Sequence, residues 1–118
     1  MSIAHVLAVV PVADFEASRA WYERLFDRPA DNLPMEGRLA EWRVTGSGWV
    51  QVGLDTGRAG SALLNFAVDD LDQHIAGISG RGLQPEAAET VNKGVRLSAI
   101  TDPDGNRITF IGNFRVRY

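Results

Sequence analysis

The sequence of 118 residues contains no cysteine, and this absence excludes several kinds of chemistry. Disulfide bonds, thiolate nucleophiles and zinc sites built on cysteine all need a residue type that the chain lacks. Lysine and arginine occur only as isolated residues, and the formal net charge is -3. Because nucleic-acid-binding domains usually carry a basic face, we expect no nucleic-acid partner.

Long apolar runs are also missing from the sequence. The longest, residues 6–13, contains a proline and is far too short to cross a bilayer. No basic segment followed by a long apolar core is visible, so we expect no signal peptide, no membrane partner and a cytoplasmic location. Apolar residues make up 45% and charged residues 23%, which is typical of a folded globular chain. We therefore expect a single domain over residues 1–118.

The pattern of the chain repeats itself. An apolar strand over residues 3–12 precedes a helix that Asp14 is placed to cap, and the strand "ALLNFAV" precedes a weaker helix capped by Asp70. The two caps are 56 positions apart (70 − 14). An internal repeat of this length predicts an α+β fold with two tandem βαβββ modules, about residues 1–56 and 59–118.

Two strand-like segments follow each predicted helix. They are "LAEWRV" and "WVQVGL" in the first half, and "GVRLSAI" and "RITFIG" in the second. The preceding segment in the first half, "PADNLPMEGR", lacks periodicity. Its composition fits a cover over a cavity and fits a plain connection equally well.

Three segments give the chain its family resemblance: "VADFEASRAWYERLF", "NFAVDDLD" and "DPDGNRITFIG". With the repeat, they resemble the vicinal oxygen chelate superfamily, which includes glyoxalases, extradiol dioxygenases and bleomycin-resistance proteins. The resemblance implies a curled mixed sheet with helices on its convex face and a ligand cavity on its concave face. It also implies a homodimer, because such half-barrel sheets commonly complete one another across two chains.

Metal-using members of that superfamily place ligands at positions that fall here on Leu7, Gln51, Leu63 and Thr109. This set contains no imidazole and no carboxylate, and leucine has no donor atom for a metal. We therefore expect no metal and no other cofactor. His5 lies two residues before Leu7, roughly 7 Å along a strand, which is too far to replace it. We interpret His5 as a residue of the cavity rim or surface, and we expect His74 to be exposed to solvent.

Strand alternation predicts which side chains line the concave face. Its candidate ligand-binding residues are His5, Leu7, Glu41, Arg43, Trp49, Gln51, Leu63, Asn65 and Thr109. The opposite parity places apolar side chains under the helices: Val10, Val12, Phe66, Val68, Ile108 and Phe110, with Trp21 and Ile75.

The hairpin between the two strands of the first half has two possible registers. A three-residue loop "GSG" pairs Thr45 with Trp49 and keeps Trp42 under the helix, and we favour this register. A four-residue loop "TGSG" turns Trp42 inward and forces Arg43 under a helix, which is costly for an unpaired charge.

Three functions fit these features. The first is metal-independent binding of an aromatic or cationic small molecule, with Trp49 stacking on a planar ligand and Glu41 and Arg43 selecting charge. The alternative is a lyase or isomerase that uses Glu41 or His5 for acid–base chemistry. The third is a module that binds a partner protein through the curled sheet or the tail "FRVRY", which is predicted to be a final strand. An equally good interpretation of the concave residues is that Glu41 and Arg43 form an exposed strand pair and Trp49 fills a dimer interface.

Overall fold

A computed structural model of the chain describes residues 2–114. The tail predicted as a final strand therefore lies outside the described residues from position 115 onward. The first half contains β1 (Val6–Val12), α1 (Phe15–Phe26), β2 (Asn32–Met35), β3 (Leu39–Arg43) and β4 (Gly48–Leu54). The second half contains β5 (Leu63–Val68), α2 (Leu71–Gly80), β6 (Glu89–Thr90), β7 (Arg96–Thr101) and β8 (Arg107–Gly112), with a 3-10 turn (Asn92–Gly94) before β7. The predicted βαβββ repeat and α+β class are confirmed.

Aspartate caps begin both helices, as the sequence predicts. The carboxylate of Asp14 accepts a hydrogen bond from the backbone N–H of Ala17 at 3.2 Å, and that of Asp70 accepts from Gln73 at 3.0 Å. Each satisfies an N–H group that the first helical turn leaves without a partner. Equivalent caps at equivalent places in both halves are local evidence for the repeat.

Each module forms its own four-stranded mixed sheet. The strand orders are β1-β4-β3-β2 and β5-β8-β7-β6, with β1 parallel to β4 and β5 parallel to β8. The other neighbours run antiparallel. Within residues 2–114, β1 and β5 do not pair, so the predicted curled sheet takes the form of two separate sheets.

The segment expected to lack regular structure contains β2. Asn32 pairs with Glu41 and Met35 with Leu39, which places β2 at the edge of the first sheet. Pro34 has no N–H group to donate, and an edge is the place where a sheet tolerates such a residue. Four of the ten residues of this segment thus form an edge strand.

Both helices pack against one face of the sheets, and their apolar side chains share one core. Its fully buried members include the predicted Val10, Val12 and Ile108, together with Trp42, Val50 and Val52. Trp21 and Phe110 are also buried, and Phe66, Val68 and Ile75 pack against this core half-buried. The predicted helix-facing side of the strands is confirmed.

The hairpin register differs from the favoured one. Arg43 pairs with Trp49 and Glu41 with Gln51, so the prediction that Thr45 pairs with Trp49 is wrong. The shift is two residues, and a shift of two returns every side chain to the same face. Trp42 is therefore buried under the helix, as expected, although the loop is longer than expected.

A buried polar cluster joins the two modules. The hydroxyl of Tyr22 donates to Asp102 Oδ2 at 2.7 Å, and the side-chain amide of Asn106 donates to the same oxygen at 2.8 Å. That amide also donates to the carbonyl of Pro11, and its oxygen accepts from the backbone N–H of Ala62, both at 2.8 Å. Burial and the carboxylate of Asp102 hold the pKa of Tyr22 above its ordinary range, so Tyr22 stays a donor.

Candidate functional site

The face of each sheet that points away from the helices is open. In the first module this face carries Leu7 on β1, Glu41 and Arg43 on β3, and Trp49 and Gln51 on β4. Leu7 is paired with Trp49, and Gln51 is paired with Glu41. The structure thus brings these five predicted residues onto three adjacent strands.

Glu41 is the centre of the polar part of this face. Its Oε2 accepts a hydrogen bond from the side-chain amide of Gln51 at 2.6 Å, and its Oε1 accepts from that of Asn32 at 3.3 Å. Glu41 and Gln51 are both half-buried. Two neutral amides hold the carboxylate in place, but they do not neutralise its negative charge. The carboxylate can therefore pair with a positively charged group.

Asn32 is a member of the site that the sequence reasoning missed. It lies on β2, in the segment expected to lack regular structure. Asn32 pairs with Glu41 only because β2 forms at the edge of the sheet. Pro34 interrupts the alternation of apolar and polar residues by which a strand is recognised in a sequence.

Trp49 and His5 form a second contact group at the start of β1. The indole N–H of Trp49 donates to His5 Nδ1 at 3.2 Å, and the rings meet edge to face with centroids 6.3 Å apart. His5 is exposed and Trp49 half-buried, so the indole offers a ring surface beside the polar group at Glu41.

Arg43 lies on the same face, but its guanidinium group is directed into its own hairpin. Both Nε and Nη2 donate to the carbonyl oxygen of Gly46. In the described residues Arg43 therefore fastens the β3–β4 loop and makes no contact with the carboxylate of Glu41.

The matching face of the second module is chemically different. Leu63 and Asn65 lie on β5 and are exposed, and Thr109 pairs with Asn65 from β8. No carboxylate or amide cluster like that at Glu41 occurs among the described residues of this face. A charged group on this face is Arg107, which is paired with Leu63 and forms an ion pair with Glu86 at 3.0 Å.

Large apolar side chains on these faces are uncovered. Leu7 is 47% exposed, Val9 is 59% exposed and Leu63 is 79% exposed. Folded monomers seldom expose apolar residues on adjacent positions of an open sheet, and such patches usually mark contact surfaces.

The positions implied for metal ligands do not fit a metal. Leu7 and Leu63 have no donor atoms, and the amide of Gln51 already donates to Glu41. Within residues 2–114, no three His, Cys, Asp or Glu side chains are grouped closely enough to hold a metal ion. Divalent ions prefer imidazole or carboxylate donors, which these positions do not provide.

His74 is the residue whose environment the sequence predicts wrongly. It was expected in solvent, but it is half-buried, with its ring 4.4 Å from that of Phe110. Its Nε2 is buried and has no hydrogen-bond partner among the described residues. Burial, and secondly the charge of Arg81, lower the pKa of His74 from its ordinary value.

Comparison with known proteins agrees with this architecture. The model of the Glyoxalase/Bleomycin resistance protein/Dioxygenase superfamily matches residues 2–110. No protein of curated function matches the sequence significantly. In the part of the chain that the structure covers, no helix has the length and apolar character needed to span a membrane.

Three solved structures illustrate the range of similar proteins. A glyoxalase/bleomycin resistance protein from Catenulispora acidiphila DSM 44928 is 33% identical with a TM-score of 0.87, over 93% of this chain and 98% of that one. TnmS3, an antibiotic binding protein from Streptomyces sp. CB03234, is 28% identical with a TM-score of 0.74, over 95% and 98%. A lactoylglutathione lyase from Agrobacterium tumefaciens is 15% identical with a TM-score of 0.77, over 100% of both chains, a likeness in fold alone.

Binding proteins and an enzyme thus share this fold, so the fold does not choose between them. The matched family model covers residues 2–110, almost the whole chain. The chain belongs to the Glyoxalase/Bleomycin resistance protein/Dioxygenase superfamily.

Proposed function

We propose that the protein binds a small aromatic or cationic molecule, without a metal, on the concave face around Glu41 and Trp49. The carboxylate of Glu41 is the observation that carries this proposal. It is held by two amides on an open face, and the ring of Trp49 lies near it on the neighbouring strand. A positive charge pairs with the carboxylate while a planar group stacks on the indole.

The donor chemistry of the implied metal positions supports binding without a metal. Leu7 and Leu63 add apolar surface to the face where metal-using relatives need donors. The similarity to an antibiotic binding protein at 28% identity supports a small-molecule ligand for this chain as well.

We also propose that the protein is a homodimer whose second copy covers the open faces. Leu7, Val9 and Leu63 supply apolar area for such a contact, and burying one side chain of this kind contributes about 1.5–3 kcal/mol. Such a contact would cover the open face on which Glu41 and Trp49 lie. A cytoplasmic location is part of the proposal, and the lack of cysteine is consistent with it.

The alternative is a lyase or isomerase of the same superfamily that uses Glu41 or His5 as a base. The half-buried carboxylate of Glu41 is the feature that favours it. Against it, the hydrogen bonds of His5 and Glu41 go to Trp49, Gln51 and Asn32, and the two groups do not contact each other.

The test is a fluorescence titration with 9-aminoacridine, a planar cation, and with acridine-9-carboxylate, a planar anion of similar size. We expect saturable binding of the cation, at least about tenfold tighter than that of the anion. Glu41→Gln should weaken binding of the cation about tenfold, whereas Glu16→Gln on the exposed surface of α1 should not. Equal affinity for the two dyes, or an unaffected Glu41→Gln variant, contradicts the proposal.

Two further measurements separate the remaining parts of the proposal. Light scattering at several protein concentrations reports the dimer, and a strict monomer at high concentration would refute it. Metal analysis of the purified protein should find no stoichiometric Zn, Mn, Fe or Ni. A chemically changed ligand after prolonged incubation would favour the enzyme.

A further inference from the structure

A second recess lies mainly on the helix side of the sheets, and Arg43 of the open face also borders it. It is bounded by the end of α1, the β3–β4 loop, β5 and α2, and its volume is about 450 Å³. The residues that matter for its chemistry are Phe26, Thr45, Phe66, His74, Arg81 and Phe110. We call it the helix-side cleft. Clefts of this size hold small organic molecules.

Three phenyl rings form the apolar wall of the helix-side cleft. Phe66 and Phe110 are stacked with centroids 5.9 Å apart, and Phe26 meets Phe66 edge to face at 6.1 Å. Phe26 and Phe66 are only half-buried, so part of each ring faces the cleft. A flat aromatic ring is the shape that such a wall accommodates best.

The imidazole of His74 provides a polar atom without a partner at this wall. Its Nε2 is buried and makes no hydrogen bond within residues 2–114. A buried polar atom of this kind is destabilising unless water or a ligand satisfies it, and it is rare in native proteins. A ligand that hydrogen-bonds to Nε2 after a small movement of the covering side chains would remove the penalty.

Arg81 brings a fixed positive charge to the same cleft. Its Nε donates to the carbonyl of Arg24 and its Nη2 to that of Leu25, at 2.5 and 3.0 Å. Its Nη1 makes no hydrogen bond in the described part of the chain, and it lies 3.9 Å from a carboxylate oxygen of Asp27. The end of α1 therefore orients the guanidinium group and leaves one nitrogen available.

We propose that the helix-side cleft binds a small aromatic monocarboxylate. The ring lies among Phe26, Phe66 and Phe110, and the carboxylate accepts hydrogen bonds from His74 Nε2–H and Arg81 Nη1–H. This site differs from the concave face in both place and charge, because the concave face presents a carboxylate of its own.

The charged groups around the cleft favour an anionic ligand. Arg28, Arg43 and Arg81 border the cleft together with one acidic residue, Asp27. Asp69 and Asp70 border the recess that adjoins it at His74. The arginines attract a carboxylate, and the nearby aspartates reduce the net positive charge that it meets.

The chain has only two histidines, which makes a direct test possible. The imidazole proton resonances of His74 and His5 are followed by NMR while phenylacetate is added, and then phenylacetamide, its neutral analogue. We expect phenylacetate to shift the His74 signal saturably and to raise the pKa of His74, because a bound anion favours the protonated ring. His5 should not respond, and phenylacetamide should bind at least about tenfold more weakly.

Two variants complete the test. His74→Phe keeps a ring against Phe110 but removes the donor, and should weaken phenylacetate binding about tenfold or more. Ser79→Ala, on the exposed surface of the same helix, should leave binding unchanged. Thermal unfolding of both variants shows whether they fold.

Three results would overturn the proposal: equal binding of phenylacetate and phenylacetamide, a shift at His5 alone, or full affinity in the folded His74→Phe variant. Since the concave face is tested with acridines through Glu41, failure of one site is distinguishable from failure of the other.

Discussion

Replacing Asn106 by alanine should strongly destabilise the protein, in part by breaking a hydrogen bond between the two modules. The side chain is buried at 1% exposure and makes three hydrogen bonds of 2.8 Å, to Pro11, Ala62 and Asp102. Two of these connect to neutral backbone groups, and each contributes about 0.5–1.5 kcal/mol. The third connects to a carboxylate and contributes about 1.5–3 kcal/mol.

The expected loss in the free energy of unfolding of Asn106→Ala is therefore about 2.5–6 kcal/mol. This is a large share of the stability of a domain, which is about 5–15 kcal/mol. The assay is urea unfolding followed by tryptophan fluorescence and circular dichroism. We expect a lower midpoint with an unchanged slope, because the surface exposed on unfolding stays the same.

Two further variants make the result decisive. Asn65→Ala, at an exposed asparagine on β5, should change the free energy of unfolding by less than about 0.5 kcal/mol. Tyr22→Phe removes a second donor to Asp102 and should cost about 1.5–3 kcal/mol, with non-additive effects when combined with Asn106→Ala. A loss below about 1 kcal/mol in Asn106→Ala would refute the reasoning, because it would mean that the three hydrogen bonds of Asn106 contribute little to stability.

Three other positions give sharp expectations for stability. Gly60→Ala should lower the free energy of unfolding by more than about 3 kcal/mol, because its φ is +86° and an added Cβ would lie 2.2 Å from the backbone oxygen of Asp104. Gly37 also has a positive φ, +73°, but it has open space around it, so in Gly37→Ala urea titration should show a loss of only about 1–2 kcal/mol in the free energy of unfolding. Similar losses at both positions would contradict the steric effect of the Asp104 backbone on Gly60→Ala. The pKa of His74 in the folded protein lies below its unfolded value of about 6.5, so protonation of His74 favours unfolding. The stability that this residue contributes above pH 6.5 is therefore lost as the pH falls toward the folded-state pKa. In His74→Phe this part of the pH dependence of the urea midpoint should disappear, and an unchanged pH profile would argue against a neutral buried ring.

The features that sequence reasoning captured are those with a local or periodic cause. Asp14 and Asp70 cap their helices because an aspartate side chain needs only its own next three residues to do so. The side of the strand on which Trp42 lies follows from alternation, and it survived an error of two residues in the hairpin register. These signals require no knowledge of the other module.

The features that sequence reasoning missed depend on contacts between distant segments. Whether His74 is exposed is decided by Phe110, which lies on a different element and packs against its ring. Asn32 reaches Glu41 only because β2 forms as an edge strand, despite Pro34. Periodicity within one segment carries no information about such neighbours.

The parallel pairing of β1 with β4 has a consequence for how the chain is made and folded. Val6 pairs with Gly48, a separation of 42 positions (48 − 6), so the first sheet cannot close until its last strand has left the ribosome. The joint at Asn106 spans 95 positions to Pro11 and must form later still. Contacts between such distant positions slow folding, since the entropy of closing a long loop is lost before any contact compensates for it. We therefore expect the first module to fold during synthesis. Its groups in the buried polar cluster, Pro11 and Tyr22, stay without their partners until the end of the second module has been made.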